Sequence, residues 1–89
     1  MEIYTLNNGR ADTLLYALSQ NQLKELDSAF KHFNKATGIR IDLYGDTRFS
    51  SGNEVLIESI EESLEIKSKT RKDVVNVLKA NKKIIFVGD

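Results

Sequence analysis

The stretch SQNQLKELDSAFKHFNKATG, which runs from Ser19 to Gly38, decides the fold of this 89-residue chain. Ser19 and Gln22 have the spacing of a capping box, in which two side chains satisfy free backbone groups at a helix start. Large apolar residues then recur at intervals of three and four: Leu23, Leu26, Phe30 and Phe33. This spacing predicts a helix over residues 20–36 with one apolar stripe, and Gly38 provides its stop.

The residues before this helix have the pattern of a hairpin. Residues 2–6 alternate between polar and apolar side chains, and Asn7-Asn8-Gly9 follows as a turn signal. The apolar segment 13–18 predicts the returning strand. A short helix over residues 12–18 is the alternative, because Asp12 has the chemistry of a helix cap.

The residues after the helix predict a further strand. Ile39–Leu43 alternates strictly between apolar and charged side chains, which is typical of a half-buried strand with Arg40 and Asp42 facing solvent. Tyr44–Ser50 is predicted to be a loop.

The next segment predicts a helix with an acidic face. Ser51 and Glu54 form a second capping box before residues 52–66. One third of the helical wheel holds the apolar residues Leu56, Ile57, Ile60 and Leu64. The opposite third holds Glu54, Glu58, Glu61, Glu62 and Glu65. Glutamates one turn apart repel each other by about 0.2–0.5 kcal/mol per pair, so this face indicates a binding function unless lysines of the C-terminal third neutralise it.

The end of the chain predicts one more helix and one more strand. Thr70 and Asp73 indicate the helix start, Asn81 its end, and the apolar run Ile84–Val87 a strand covered on both faces. The order β(β)αβααβ predicts a single α+β domain over residues 1–89. We expect a small mixed sheet packed by about three helices in a single layer.

The composition narrows the class of protein. The chain has no cysteine, which excludes a disulfide framework, a cysteine-ligated zinc site and a thiol nucleophile. Its first residues lack the basic and apolar regions of a signal peptide, and no apolar run approaches membrane-spanning length. We therefore expect a cytoplasmic protein without a membrane partner.

The sequence also offers no set of catalytic residues. The single histidine, His32, lies opposite the apolar stripe of the first helix and is predicted to face solvent. The serines form no GxSxG or SxxK arrangement, the glycines form no P-loop, and no metal-binding spacing is present. We predict that the chain is not an enzyme and uses no cofactor or metal.

The charges are separated along the chain although they sum to zero. Residues 41–65 carry seven acidic side chains against one basic, a net charge of −6, whereas residues 66–89 carry seven basic against two acidic, a net charge of +5. An acidic surface fits a basic partner such as a nuclease, because opposite charges speed encounter and fix register. Tyr44 is the best candidate for an aromatic anchor. The predicted partner-binding residues are Asp42, Tyr44, Asp46, Arg48, Glu54, Glu58, Glu61, Glu62 and Glu65.

The turn from Ile41 to Phe49 resembles a motif of a known family. It reads IDLYGDTRF and follows a helix that closes with Phe33 and the run Thr37-Gly38-Ile39. This pattern is similar to short immunity proteins of bacterial contact-dependent growth inhibition and related polymorphic toxin systems. The resemblance implies a cytoplasmic protein that binds a cognate toxin domain, often a nuclease, and blocks it without a cofactor or catalytic residues.

The same turn has two interpretations. As a rigid corner, it would use Asp46 to cap its own backbone, Gly45 to adopt a positive φ, and Arg48 to pair with Asp42 across the loop. As a recognition loop, it would present the same side chains to the toxin.

Two other functions fit the charge pattern. A regulator encoded by a phage or plasmid would use the acidic helix to occupy a host nucleic-acid-binding protein by charge mimicry. A small nucleic-acid-binding regulator would instead use the basic cluster Lys67, Lys69, Arg71 and Lys72, and its binding would weaken steeply with salt.

Overall fold

The computed structural model describes residues 1–50, 53–62 and 68–88 as one antiparallel sheet with helices on one face. The strands are β1 (Glu2–Asn7), β2 (Arg10–Ala17), β3 (Asp46–Phe49) and β4 (Ile84–Val87), and the helices are α1 (Gln20–Thr37), α2 (Glu54–Glu62) and α3 (Lys69–Ala80). The α+β prediction is confirmed. The sheet has the order β2-β1-β4-β3 and pairs antiparallel at each interface, whereas a mixed sheet was expected. None of the helices in the described residues is long and apolar enough to cross a membrane.

The first two strands form the predicted hairpin. Asn8 and Gly9 have positive φ angles of 53° and 76°, which matches the right-handed twist of the strands joined by a two-residue turn. Strand β2 continues to Ala17, so the alternative helix over residues 12–18 is wrong. Asp12 is a strand residue and not a helix cap.

Helix α1 begins at the predicted residue and ends one residue later than predicted, at Thr37, before the predicted stop Gly38. The backbone N–H of Gln22 donates to Ser19 Oγ at 3.2 Å, and the N–H of Ser19 donates to Gln22 Oε1 at 2.8 Å, which completes the capping box. Gly38 closes the helix with a φ of 77°, and its N–H donates to the carbonyl of Asn34 at 2.7 Å. The left-handed conformation explains the glycine at this position.

An aromatic cluster joins α1 to the middle of the sheet. Phe86 of β4 is fully buried and lies 6.1 Å from Phe30 and 5.7 Å from Phe49, measured between ring centroids. Phe33 of α1 packs on Phe49 at 5.8 Å. Edge-to-face and tilted pairs at these distances add to the stabilisation that burial of the rings provides.

The strand that follows α1 does not lie where the sequence predicted it. Ile39–Leu43 is not a strand, and β3 lies inside the segment predicted to be a loop. The pairing with β4 decides the outcome, because it places Thr47 opposite Phe86 and Phe49 opposite Ile84, with both β3 residues buried. Buried and exposed residues therefore alternate along Asp46–Phe49 as well, but in the sequence the polar residues of this segment are typical of a turn.

Helix α3 begins earlier than predicted. Ser68, and not Thr70, is the N-cap, because Ser68 Oγ accepts from the N–H of Arg71 at 3.3 Å. The helix ends before Asn81, as expected. Leu64, Glu65, Lys67 and the second capping box at Ser51 lie outside the described residues.

A tyrosine at the end of β2 connects three elements. The hydroxyl of Tyr16 donates to Asp73 Oδ2 of α3 at 3.2 Å, and Gln22 Nε2 of α1 donates to the same hydroxyl at 3.4 Å. Burial, followed by the negative charge of Asp73, raises the pKa of Tyr16 above its ordinary value of 10.0. The neutral phenol is thus the form that the fold favours.

Stability is expected to fall at alkaline pH through Tyr16. The unfolded chain ionises this phenol at a lower pH than the folded chain does, so the contribution is complete below pH 10.0 and decreases as the pH rises towards the higher folded value. Urea unfolding at several alkaline pH values measures this decrease. Tyr16→Phe should lose less stability than the wild type over that range. Tyr44→Phe, at a tyrosine that is 84% exposed, should follow the wild type, and equal pH slopes for all three would contradict the assignment.

Candidate protein-binding site

Helix α2 carries a continuous acidic face. Its buried side consists of Leu56, Ser59 and Ile60, and the hydroxyl of Ser59 is satisfied within the helix by the carbonyl of Val55 at 2.8 Å. The exposed side carries Glu54, Glu58, Glu61 and Glu62. The structure therefore places these four predicted residues on one surface, as the sequence periodicity indicated.

Two of the four glutamates already have partners on the neighbouring helices. Glu61 Oε1 lies 3.2 Å from Lys79 Nζ of α3, and Glu62 Oε2 lies 3.3 Å from His32 Nε2 of α1. All four side chains are about half exposed, so each pair is worth at most about 1 kcal/mol. His32 faces solvent as predicted. Lys79 thus neutralises Glu61, whereas the partner of Glu62 is a histidine, which balances a charge only when it is protonated.

The other two glutamates carry a charge that no described residue balances. Neither Glu54 nor Glu58 forms an ion pair with any residue that the structure describes. They are one turn apart, and Val55, which follows Glu54 and lies beside this pair, is 37% exposed. Glu54 lies in the first turn, where the helix dipole favours a negative charge, but Glu58 has no such compensation. The N-terminal half of α2 is therefore the strongest candidate for contact with a cation.

The turn between α1 and β3 is built differently from the rigid corner that the sequence predicted. Asp42, and not Asp46, caps it, because Asp42 Oδ1 accepts from the N–H of Tyr44 at 2.9 Å. Asp42 also donates its backbone N–H to Thr47 Oγ1 at 2.9 Å. Gly45 does not adopt a positive φ; a Cβ there would lie 2.6 Å from Asp42 Oδ2, so the carboxylate that caps the turn would have to move.

Arg48 does not pair with Asp42 either. Its Nε donates to the carbonyl of Gly9 at 3.1 Å, and its Nη2 lies 3.8 Å from Asp46 Oδ2. The side chain thus reaches from β3 across the sheet face away from the helices to the tip of the β1–β2 hairpin. Its path helps to explain why Ile85, the cross-strand neighbour of Arg48 on β4, is 1% exposed although it is outside the main core. Arg48 therefore has a structural role, but through Gly9 and Asp46 and not through Asp42 as the rigid-corner interpretation predicted.

The end of β4 fixes the position of this turn. The N–H of Gly88 donates to the carbonyl of Gly45 at 2.7 Å. A Cβ at Gly88 would lie 2.6 Å from the carbonyl group of Leu43 and 2.7 Å from the backbone nitrogen of Gly45. A close backbone approach of this kind requires glycine. The backbone of the turn is held in place while the side chain of Tyr44 remains 84% exposed.

The two halves of the predicted site lie on opposite flanks of α1. Residues 40–44 line a groove with Leu23, Phe30 and Asn34 of α1. The contacts with α2 and α3 come from the other flank, at His32 and Ser28. At 100° per residue these two sets are separated by roughly 150° around the helix. Asp42, Tyr44, Asp46 and Arg48 therefore do not continue the acidic face of α2.

One residue of the predicted basic cluster at the start of α3 is buried. Arg71 is 5% exposed, and its guanidinium donates to the carbonyl of Glu25 at 2.7 Å and to Ser28 Oγ at 3.1 Å. This side chain joins α3 to α1 and does not face solvent. Lys69 and Lys72 remain exposed, and Lys67 lies outside the described residues. Without Arg71 the cluster has a smaller electrostatic footprint, which weakens the nucleic-acid-binding alternative.

Comparison with known proteins adds no relative. No family model, curated protein or solved structure matches this chain. Within the described residues, no group of three or more His, Asp or Glu side chains is arranged to hold a metal ion. The shape and charge of the surface are therefore the observations that bear on function.

Proposed function

We propose that the chain is an immunity protein that binds and neutralises a cognate bacterial toxin domain through the acidic face of α2. The observation that supports this proposal is the pair Glu54 and Glu58, which are exposed, lie one turn apart and have no ion-pair partner among the described residues. Their mutual repulsion is relieved when a cation of a partner lies between them. The turn from Ile41 to Phe49, with its likeness to toxin immunity proteins, supports the choice of partner.

A toxin with a nuclease activity fits this surface. A nuclease must hold the phosphate backbone in a groove lined by Lys or Arg, and an acidic helix is complementary to such a groove. The inhibitor would act by occupying the groove and excluding the nucleic acid, so it needs no cofactor and no chemical step. Opposite potentials would also accelerate the encounter, which matters for a protein that must capture a toxin in the cytoplasm before it acts.

The contribution of each residue follows from its present contacts. Glu54 and Glu58 can accept a cation without losing a bond, and Val55 beside them, which is 37% exposed, provides an apolar contact. Glu61 and Glu62 would have to share or release Lys79 and His32, which reduces their net gain. We therefore place the centre of the interface on the first two turns of α2. Tyr44 would contact the same toxin only if the toxin extends around α1.

Charge reversal at the first two turns of α2 tests the proposal. In co-expression with the toxin gene adjacent to its own, the wild type should protect the cell, and Glu54→Lys with Glu58→Lys should not. The association rate of the purified pair should fall by about 10- to 100-fold at low salt. Both substitutions are at exposed positions, so circular dichroism should show an unchanged fold.

Asp12→Lys is the matched control, because it reverses an exposed charge on β2 and leaves α2 intact. Full protection by the Glu54 and Glu58 double variant would show that this face is not the interface. Capture of a host nucleic-acid-binding protein, with no toxin gene nearby, would instead favour charge mimicry and reject the toxin as partner.

A further inference from the structure

The face of the sheet that lies away from the helices is apolar at its centre. Strand β4 has the sequence of a strand covered on both faces, but the core that contains the helices includes Ile84 and Phe86 and not Ile85. On the opposite face, Ile85 pairs with Tyr4 of β1, and Tyr4 pairs in turn with Leu14 of β2, which is 50% exposed. A sheet face in contact with water normally carries polar side chains, so this row indicates a face that binds another molecule.

The rows on either side of this one carry opposite charges. One row pairs Glu2 with Val87. The other pairs Leu6 with Lys83, whose carbonyl accepts the N–H of Leu6 at 3.1 Å. Alternation along the strands places these side chains on the same face as Ile85. Glu2 and Lys83 are about 14 Å apart along the strands. Neither forms an ion pair with any residue that the structure describes, so the face has a negative end, an apolar centre and a positive end.

We propose that this face binds the same face of a second copy of the chain. A surface with opposite charges at its two ends is complementary to itself when the second copy is turned end for end, and a two-fold axis produces that arrangement. The axis would run across the strands, through the row of Tyr4 and Ile85. Each of these residues then meets its own copy, and Glu2 of each molecule lies beside Lys83 of the other. Packed sheets are about 10 Å apart, a distance that these two long side chains span together.

The charges also select this arrangement of the two copies over the alternative. A two-fold axis parallel to the strands would place Glu2 beside Glu2 and Lys83 beside Lys83, which is repulsive. Arg48, at the edge of the central row, is balanced within its own copy by Asp46, whose Oδ2 lies 3.8 Å from its Nη2. The acidic face of α2 lies on the helix side of the sheet and stays exposed in the dimer. The inference therefore goes beyond the proposed immunity function and does not depend on it.

Sedimentation equilibrium of the complete chain measures this association. Four short strands give an interface at the low end of the size range, so the dimer should predominate at about 500 μM and the monomer at about 5 μM. Glu2→Lys and Lys83→Glu should each weaken the dimer by at least about ten-fold, because each replaces two attractions by two repulsions. The variant that carries both substitutions should regain nearly the wild-type affinity. A second copy, which carries both residues, explains this recovery, whereas an unrelated partner does not.

Three further variants complete the experiment. Leu14→Glu places a charge in the apolar row at an exposed position and should also weaken the dimer by at least about ten-fold. Glu25→Lys and Lys35→Glu reverse exposed charges on α1, on the other side of the sheet, and should leave the dimer unchanged. Circular dichroism checks that each variant is folded. The inference is overturned if the wild type is monomeric at the higher concentration, if the single reversals and Leu14→Glu associate like the wild type, or if the double reversal associates no better than the single ones.

Discussion

Phe86→Ala is expected to lower the free energy of unfolding by about 3–5 kcal/mol. The ring of Phe86 is fully buried, contacts Phe30 and Phe49 edge to face, and lies on a central strand of the sheet. Its removal leaves a cavity where α1 and β3 meet β4, and the surrounding rings can collapse into it only in part. A domain of this size has a total stability of about 5–15 kcal/mol, so the variant should be close to unfolding.

Urea unfolding followed by circular dichroism measures this loss. Phe86→Leu, which retains most of the apolar volume, should lose less than half as much stability as the alanine variant. Tyr44→Ala, at an aromatic residue that is 84% exposed, should change the stability by less than about 0.5 kcal/mol. A loss below about 1.5 kcal/mol for Phe86→Ala would mean that the aromatic cluster does not hold the sheet to α1.

Asn53→Asp is expected to lower the free energy of unfolding by about 2–3 kcal/mol. Asn53 is 3% exposed and its Nδ2 donates to the carbonyls of Leu78 and Asn81, both at 3.0 Å. These bonds join the start of α2 to the end of α3. A carboxylate has the same shape but donates no hydrogen bond when ionised, and it would lie against the negative end of the α3 dipole.

Comparison with alanine separates the two effects of this substitution. Asn53→Ala also loses both hydrogen bonds but adds no charge, so it should destabilise less than Asn53→Asp at neutral pH. Asn76→Asp makes the same exchange of asparagine for aspartate at an exposed position of α3 and serves as the control; it should change the free energy of unfolding very little. Equal stabilities for Asn53→Asp and the wild type would show that the bonds to Leu78 and Asn81 contribute little.

Helix α1 was predictable because its signals are local. The Ser19 cap, the apolar stripe and Gly38 lie within one continuous stretch, and each acts through neighbours a few residues away. The acidic face of α2 was predictable for the same reason, since helical periodicity alone separates its glutamates from Leu56 and Ile60.

Strand β3 was not predictable because its partner is remote in sequence. Ile39–Leu43 has the stronger strand pattern, yet Asp46–Phe49 pairs with β4 and buries Phe49 against Phe86. This pairing is accompanied by a hydrogen bond between Gly88 and Gly45 and by a close backbone approach at Gly88. Neither interaction has a local signature.

The sequence predicted which residues of the candidate site are acidic, but not which other side chains lie next to them. Charge counting indicated the acidic residues, but only the packing of the helices shows that Lys79 lies against Glu61 and His32 against Glu62. The burial of Arg71 and the position of Tyr44 on the other flank of α1 are likewise consequences of tertiary structure. The groove beside α1 was not predictable from the sequence, because its wall includes most of Ile39–Leu43, which has the pattern of a strand but pairs with none of the described strands.

The pairing of β1 with β4 has a consequence for how the chain folds during synthesis. It joins residues 2–5 to residues 84–87, so the two central strands of the sheet are the two that are furthest apart in sequence. The entropy lost in closing such a loop is recovered only after β4 has left the ribosome, and contacts of this range slow folding. The β1–β2 hairpin and α1 can form earlier, whereas a nascent chain that ends before Phe86 lacks the surface on which α1 is seated. Any function that needs the assembled sheet would therefore begin only with complete translation of β4.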